Sequence, residues 1–170
     1  MPEPAHEKHD KHDAHRRLIA RLREQAGEVR HLVSGLDEAA FANRIKPDKW
    51  SLKELVCHLD RVQQIFGGRV ETMLAEENPA IAVWEPDGDP EFDKMTKRSG
   101  SDSLTAFLTS RERFAQRLEA LSPAEWHRPG RHPEFPHYDV HFQVEYMTHH
   151  EAHHIYQMYQ RRVPFGKLPH

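Results

Sequence analysis

The spacing of proline restricts the fold of this chain more than any other feature. The sequence has 170 residues, close to the length of one domain, and twelve prolines. A proline inside a helix costs about 3 kcal/mol relative to alanine, so long helices must lie between prolines. Four proline-free stretches are long enough to hold such helices: residues 5–46, 48–78, 91–122 and 137–163.

Apolar residues recur every three or four positions in each stretch, which is the period of one helix face. The predicted helices cover roughly residues 14–34, 51–76, 101–121 and 139–162. Gly35 ends the first of them, and the second begins with a capping box formed by Ser51 and Glu54. Strict alternation of apolar and polar residues, the pattern of strands, is absent throughout. The fold class predicted from this pattern is all-α, a four-helix bundle.

The connection between the second and third helices is long enough for the two helices to run parallel. Its acidic residues are spaced like those of a calcium loop: Glu85, Asp87, Asp89, Glu91 and Asp93. An EF-hand loop beginning at Asp87 would need glycine at its sixth position and an acid at its twelfth. The chain has Phe92 and Arg98 there. We therefore expect a solvated acidic crossover and no EF-hand.

Composition excludes several classes of function. The single cysteine rules out an intramolecular disulfide framework and a cysteine-based zinc cluster. A net charge of -3 does not favour nucleic-acid binding. No apolar run is as long as a membrane span, and the amino terminus lacks a signal-peptide core. We expect a cytoplasmic protein that binds neither nucleic acid nor membrane; phosphate-binding glycine loops and nucleophile-elbow motifs are also missing.

Histidine is unusually frequent, with 15 residues that fall mostly into two groups. The first group has a three-residue spacing: His6, His9, His12 and His15. The favoured interpretation is a disordered, solvated leader, although such a tract could also bind adventitious metal or extend the first helix. The predicted organisation is a leader at residues 1–13, a bundle at 14–163 and a tail at 164–170.

The second group lies on the last helix and forms two overlapping H-x-x-x-H pairs. Residues four apart on a helix share one face, so either pair has the spacing to bind one metal ion. Helical phase places His150 and His154 at the border of the apolar stripe and turns His149 and His153 away from it. Glu151 falls within the stripe, which is unusual for a carboxylate unless it has a partner.

A third imidazole, His58, lies inside the apolar edge of the second helix. By itself it would be read as a buried, hydrogen-bonded histidine, and the pair on the last helix as a solvated polar face. Together the three predict a metal site with open coordination positions, as in catalytic sites. The neighbouring Cys57 points elsewhere on the helix and is interpreted as an ordinary buried cysteine.

These residues also resemble a known family, the DinB/YfiT-like superfamily. The motifs that carry the resemblance are Trp50-Ser51-x-x-Glu54-x-x-x-His58-Leu59 and His150-x-x-x-His154-x-x-Gln157. The resemblance covers roughly residues 14–163. It implies a four-helix bundle with up-down-down-up topology and a three-histidine metal site, whose ligands here would be His58, His150 and His154. It also implies a homodimer.

Characterised members of the superfamily include thiol-dependent S-transferases and an isomerase. The leading hypothesis is a metal-dependent enzyme that activates water or a low-molecular-weight thiol towards a small-molecule substrate. Glu151 and Glu54 are candidate general bases, and Tyr146 and Gln157 are candidates for contacting substrate or orienting ligands. The expected ion is zinc or nickel, with iron or manganese as alternatives. Two rival interpretations are a noncatalytic, metal-binding or dimerising stress protein and a protein of metal storage or delivery.

Overall fold

The computed structural model describes the backbone of residues 5–169 and the side chains of residues 13–169. Six helices are present in this part: α1 (Ala5–Val33), α2 (Glu38–Ala42), α3 (Leu52–Ala75), α4 (Pro90–Met95), α5 (Gly100–Glu119) and α6 (Val140–Arg162). Short 3-10 helices cover Glu125–His127 and Val163–Phe165. Residues 5–169 contain no strand, only two isolated bridges, and no described helix is long and apolar enough to cross a membrane.

The four long helices pack into the predicted bundle, with α1 and α3 each lying against α5 and α6. The buried core forms two apolar clusters, one towards each end. The first cluster includes Ile19, Val70, Leu118 and Val144. The second includes Leu32, Leu55, Phe107 and Met158. The early parts of α1 and α6 thus meet the late parts of α3 and α5. Helices α1 and α6 therefore run in one direction, and α3 and α5 run in the opposite direction. The predicted up-down-down-up topology is confirmed.

Between the two clusters, Arg111 on α5 bonds to each of the other three long helices. Its guanidinium donates to the carbonyl oxygen of Leu22 on α1, at 2.7 Å, and to the amide oxygen of Gln63 on α3. It also makes a bidentate ion pair with Glu151 on α6, in which Nη1 lies 2.8 Å from Oε1. Arg111 and Glu151 are almost fully buried. Arg111 is therefore the partner that the buried position of Glu151 requires.

Helix α1 begins well before the predicted position. The backbone of residues 5–13 is helical where we expect a disordered leader, because no proline or glycine interrupts the chain after Pro4. Residues 1–4 lie outside the described part. His15 is not solvated as predicted: it is buried, with its ring stacked on Trp126 at 4.2 Å between ring centres. It lies seven residues before Leu22 and so continues the apolar stripe of α1.

The crossover between α3 and α5 is less solvated than predicted. Asp89 is buried, and its carboxylate accepts hydrogen bonds from Arg61 Nε at 2.6 Å and from Trp84 Nε1 at 3.2 Å. The hydrogen bond from Arg61 lowers the pKa of Asp89. Asp89 also caps α4 with Pro90 in the first turn, a common helix start. The crossover is thus fixed to α3, and Trp84 is fixed with it.

A second connection, between α5 and α6, pairs with the crossover. The backbone amide of Ile81 donates to the carbonyl of Arg131, and the amide of Arg131 donates to the carbonyl of Pro79, both at 2.8 Å. These bonds join two segments that are far apart in sequence. Together the two connections cover one side of the groove between α3 and α6, where the candidate site lies.

Candidate metal centre

Three histidines converge where α3 and α6 pack in opposite directions. His58 Nε2 lies 3.1 Å from His154 Nε2, which in turn lies 3.2 Å from His150 Nε2. Each ring offers one nitrogen to the same small region, and the three ligand atoms lie within 4.8 Å of one another. The four-residue spacing on α6 supplies two of the rings, and the antiparallel α3 supplies the third. The predicted convergence of His58, His150 and His154 is observed.

The spacing of the three nitrogens fits a metal ion. Four ligands placed tetrahedrally at about 2.0–2.1 Å from zinc are about 3.3–3.4 Å apart, close to the 3.1 and 3.2 Å that separate His154 Nε2 from the other two nitrogens. A neutral imidazole has one acceptor nitrogen, and acceptor lone pairs that face one point repel each other unless a cation lies between them. The three nitrogens are thus suited as ligands of a divalent ion.

Burial keeps these imidazoles neutral, the form that binds metal. Burial, reinforced by the neighbouring imidazoles, lowers the pKa of His58 from its usual 6.5 to about 3. The same causes lower the pKa of His150 to about 4, and burial also lowers the pKa of His154. All three imidazoles are therefore neutral near pH 7, with one ring proton each.

The metal-free protein should lose stability as the pH falls from about 6.5 towards 4. In the unfolded chain these imidazoles take up protons near pH 6.5, whereas in the folded chain His58 and His150 stay neutral until about pH 3 and 4. The unfolded state thus binds more protons in this window, so the free energy of unfolding rises with pH up to about 6.5 and then levels off. Urea unfolding of metal-free protein at several pH values measures this.

Replacing His58 with leucine should flatten that dependence, because the substitution removes one of the titrating groups. The double variant His149→Ala, His153→Ala is the control, since both side chains are exposed. An equally steep dependence in the His58 variant would contradict the assignment.

A glutamine holds one of the three rings in place. Gln157 Oε1 lies 2.8 Å from His154 Nδ1, so this nitrogen carries the proton and Nε2 faces the other two rings. The Nδ1 atoms of His58 and His150 are buried and have no hydrogen-bond partner among the described residues. Trp50 instead packs on the His58 ring, at 4.8 Å between ring centres. Gln157 therefore has the ligand-orienting position anticipated for it.

Substituting leucine for Gln157 should lower metal affinity by about 10–100-fold, the usual effect of removing a partner of a metal-binding histidine. The reason is that the His154 ring would lose the bond that fixes its tautomer and orientation. Competition with a chromophoric chelator measures this affinity. Gln160→Leu, an exposed substitution on the same helix, is the matched control; equal affinities for the two variants would show that Gln157 does not orient the ligand.

The structure places both candidate general bases away from the three rings. Glu54 completes the capping box with Ser51 and forms an ion pair with Arg44. Glu151 is held by Arg111 in the bundle centre. Neither carboxylate lines the cavity next to the histidines. The positions give both residues structural roles.

A cavity of about 320 Å³ opens onto the histidine cluster, within the size range of small-molecule sites. Its walls are mainly aromatic: Trp50, Phe66, Trp84, Phe135, Tyr138 and Tyr146. Tyr146 thus lies in the cavity as anticipated, with its ring nearly parallel to that of His150. Sequence reasoning missed Trp84, Phe135 and Tyr138, which come from the two connections and carry no periodic signal.

The remaining predictions near the site agree with the structure. His149 and His153 are exposed. Cys57 is buried, and its thiol lies 3.4 Å from the hydroxyl of Ser103. Burial raises the pKa of Cys57, which makes the thiol a poor nucleophile.

Comparisons with known proteins agree with this fold. The solved structure of YfiT from Bacillus subtilis, described as a probable metal-dependent hydrolase with an unusual four-helix bundle topology, superposes with a TM-score of 0.76. The two chains are 20% identical, and the match covers 89% of this chain and 87% of that one. No curated protein sequence gives a significant match. The family profile of the DinB superfamily matches residues 21–158. The chain belongs to the DinB superfamily.

Proposed function

We propose that this protein is a metal-dependent enzyme of the hydrolase or S-transferase type. His58, His150 and His154 hold a divalent cation, most suitably zinc or nickel, and the substrate is a small molecule that enters the adjoining cavity. The observation that carries the proposal is the approach of three neutral imidazole nitrogens to one region, 3.1 and 3.2 Å apart. An ion held there acts as a Lewis acid, which lowers the pKa of a water molecule or of a thiol.

The placement of the three histidines favours a catalytic role over a closed structural one. Only three ligands converge among the side chains that the structure describes, whereas a structural zinc site has four. The cluster also lines the cavity, so a fourth ligand and a substrate can approach the same ion. The likeness to YfiT, itself described as a probable metal-dependent hydrolase, supports the same class of reaction.

The chain's own residues bind the substrate and exclude water from the site. Trp50 and Trp84 flank the His58 ring, with centres 4.8 and 6.3 Å away. Tyr146 stands beside His150 and is 39% exposed, so its hydroxyl is available to a bound substrate. Gln157 fixes the proton of His154 on Nδ1. The apolar walls remove water from around the ion and strengthen electrostatic interactions with the reacting group.

The test is a panel of reactions with metal-loaded protein. One set pairs low-molecular-weight thiols with small electrophiles, and another offers esters and amides for hydrolysis. The proposal requires turnover that disappears on chelation, returns on adding metal and is lost in the double variant His150→Ala, His154→Ala. Turnover retained by that variant would contradict it. Tight metal binding without turnover across the panel would favour a noncatalytic metal-binding protein instead.

A further inference from the structure

Arg69 is the one arginine among the residues that line the cavity. It follows His58 by eleven residues on α3, or about three whole turns, so both side chains project from the same face of the helix. The two positions are about 16 Å apart along the helix axis. The side chains are closer, because Arg69 and His150 both contact the Phe66 ring, whose centre lies 5.1 Å from the guanidinium carbon and 5.8 Å from the centre of the His150 ring.

The charge of Arg69 is not matched by a carboxylate. Arg23, Arg61, Arg111 and Arg117 each form an ion pair, but no carboxylate among the described side chains lies within 4 Å of the Arg69 guanidinium. Its Nη2 donates to the carbonyl oxygen of Ala82 at 2.8 Å, and the group stacks over the Phe66 ring at 5.1 Å. These contacts hold a half-buried cation in position with donors left over.

A second donor lies beside it. Gln143 on α6 is 1% exposed and lines the same cavity. Its Oε1 accepts a hydrogen bond from the Tyr138 hydroxyl and lies 3.5 Å from Arg69 Nη1. Its Nε2 is buried and has no hydrogen-bond partner among the described residues. Buried polar groups are almost always paired, and an unpaired amide donor next to a guanidinium that has no carboxylate partner favours an acceptor of negative charge.

We propose that Arg69 and Gln143 form a subsite for a carboxylate group of the substrate, an inference that rests on the proposed function. The substrate class is then a small acid with an apolar body: its reacting end faces the three histidines, its body lies along Phe66 and Tyr146, and its carboxylate reaches Arg69. Tyr138 is a positioning residue, because its bond to Oε1 fixes the orientation of the Gln143 amide.

The two carboxylates at the cavity do not cancel this preference. Glu85 and Glu134 line it but are exposed, so water and salt screen them more than the half-buried Arg69. A divalent ion at the histidines would add further positive charge. With that ion bound, the positive charges outweigh the two carboxylates and the cavity attracts an anion.

The test compares 3-phenylpropionate with its neutral analogue 3-phenylpropanamide. Binding to the zinc-loaded full chain is followed by tryptophan fluorescence, since Trp50 and Trp84 line the cavity. We expect the acid to bind at least about tenfold more tightly than the amide, as charge-assisted hydrogen bonds imply. Arg69→Met should abolish the preference, Arg69→Lys should keep part of it, and Gln143→Leu should reduce it.

Arg117→Met is the matched control, because it removes the same charge from an exposed ion pair with Glu71 on another surface. Circular dichroism checks folding, and Arg69→Lys keeps the test decisive if Arg69→Met does not fold. An unchanged preference in the folded Arg69 and Gln143 variants would overturn the subsite. The subsite would also be overturned if the preference were lost in His150→Ala, His154→Ala, which removes the metal, but retained in Arg69→Met.

Failure of the subsite is distinguishable from failure of the proposed function. Zinc content is measured on the same samples, and the titration is repeated on metal-free protein. If no zinc binds but the acid is still preferred in an Arg69-dependent way, the metal-dependent function is wrong and the subsite stands. If zinc binds with full occupancy and the acid is not preferred, the subsite alone is wrong.

Discussion

Replacing His150 and His154 with alanine should reduce tightly bound divalent metal from about one ion per chain to almost none, whereas replacing His149 and His153 should leave it unchanged. The two pairs have the same spacing, helix and chemistry, and they differ in direction; His153 reaches the site only through Gln157, whose Nε2 lies 3.2 Å from His153 Nε2. His150 and His154 face His58, with Nε2 atoms 3.2 Å apart, while His149 and His153 are exposed. The comparison thus tests geometry and not histidine content.

Metal content should be measured by mass spectrometry after dialysis, on untagged protein that has not been exposed to a nickel column. His6, His9 and His12 should be replaced with asparagine in every sample, so that the amino-terminal tract contributes no ligands. The expected loss for the inward pair exceeds the 10–100-fold effect of removing an outer partner such as Gln157. Equal metal content in both double variants would mean that the three-histidine site does not bind the ion.

Arg111→Met should lower the free energy of unfolding by about 3–5 kcal/mol, the largest stability effect that we expect in this chain. The substitution leaves the Glu151 carboxylate buried without its cation and removes the bonds to Leu22 and Gln63. Arg117→Met is the matched control on the same helix. Its ion pair with Glu71 is exposed, and exposed pairs contribute at most about 1 kcal/mol. Urea unfolding at neutral pH gives both values.

The double variant Arg111→Met, Glu151→Leu separates two causes of that loss. If the cost comes mainly from an unpaired buried charge, removing both charges should restore much of the stability. If the double variant is no more stable than Arg111→Met alone, the bonds from Arg111 to α1 and α3 are the dominant contribution. A loss below about 1 kcal/mol in Arg111→Met would contradict a buried, fully formed pair.

Much of the fold is predictable because helices are local. Proline positions and apolar periodicity give the four long helices, and Ser51 with Glu54 gives the observed start of α3. Helices α2 and α4 are too short to show a period, although Asp89-Pro90 has the chemistry of a helix start. The early start of α1 was only the less favoured alternative, because the apolar stripe was followed no further back than Leu18.

The histidine site is predictable for the same reason. Helical phase separates His150 and His154 from their neighbours, and it marks Glu151 as a buried carboxylate. The partner of Glu151 has a signal too, since Arg111 lies between Phe107 and Ala115 in the apolar stripe of α5. Phase alone does not pair a particular arginine with a particular glutamate, because that depends on how the helices are arranged.

The cavity is the least predictable part, because it depends on long connections. Trp84 reaches the site through the bond of its indole to Asp89. Tyr138 and Phe135 reach it through the segment whose Arg131 is bonded to Pro79 and Ile81. Neither connection has a periodic pattern of apolar residues, so the sequence does not indicate which residues face the histidines. Arg69 lies on the predicted α3, but its lack of a carboxylate partner is visible only once all the helices are placed.

The most direct test of a three-histidine metal site is anomalous diffraction from crystals of the full chain loaded with one equivalent of zinc. Data on either side of the zinc absorption edge locate the ion independently of any assumption about its ligands. We expect one strong peak at about 2.0–2.1 Å from the Nε2 atoms of His58, His150 and His154. A fully occupied zinc peak at other histidines, with none between these three, would contradict it.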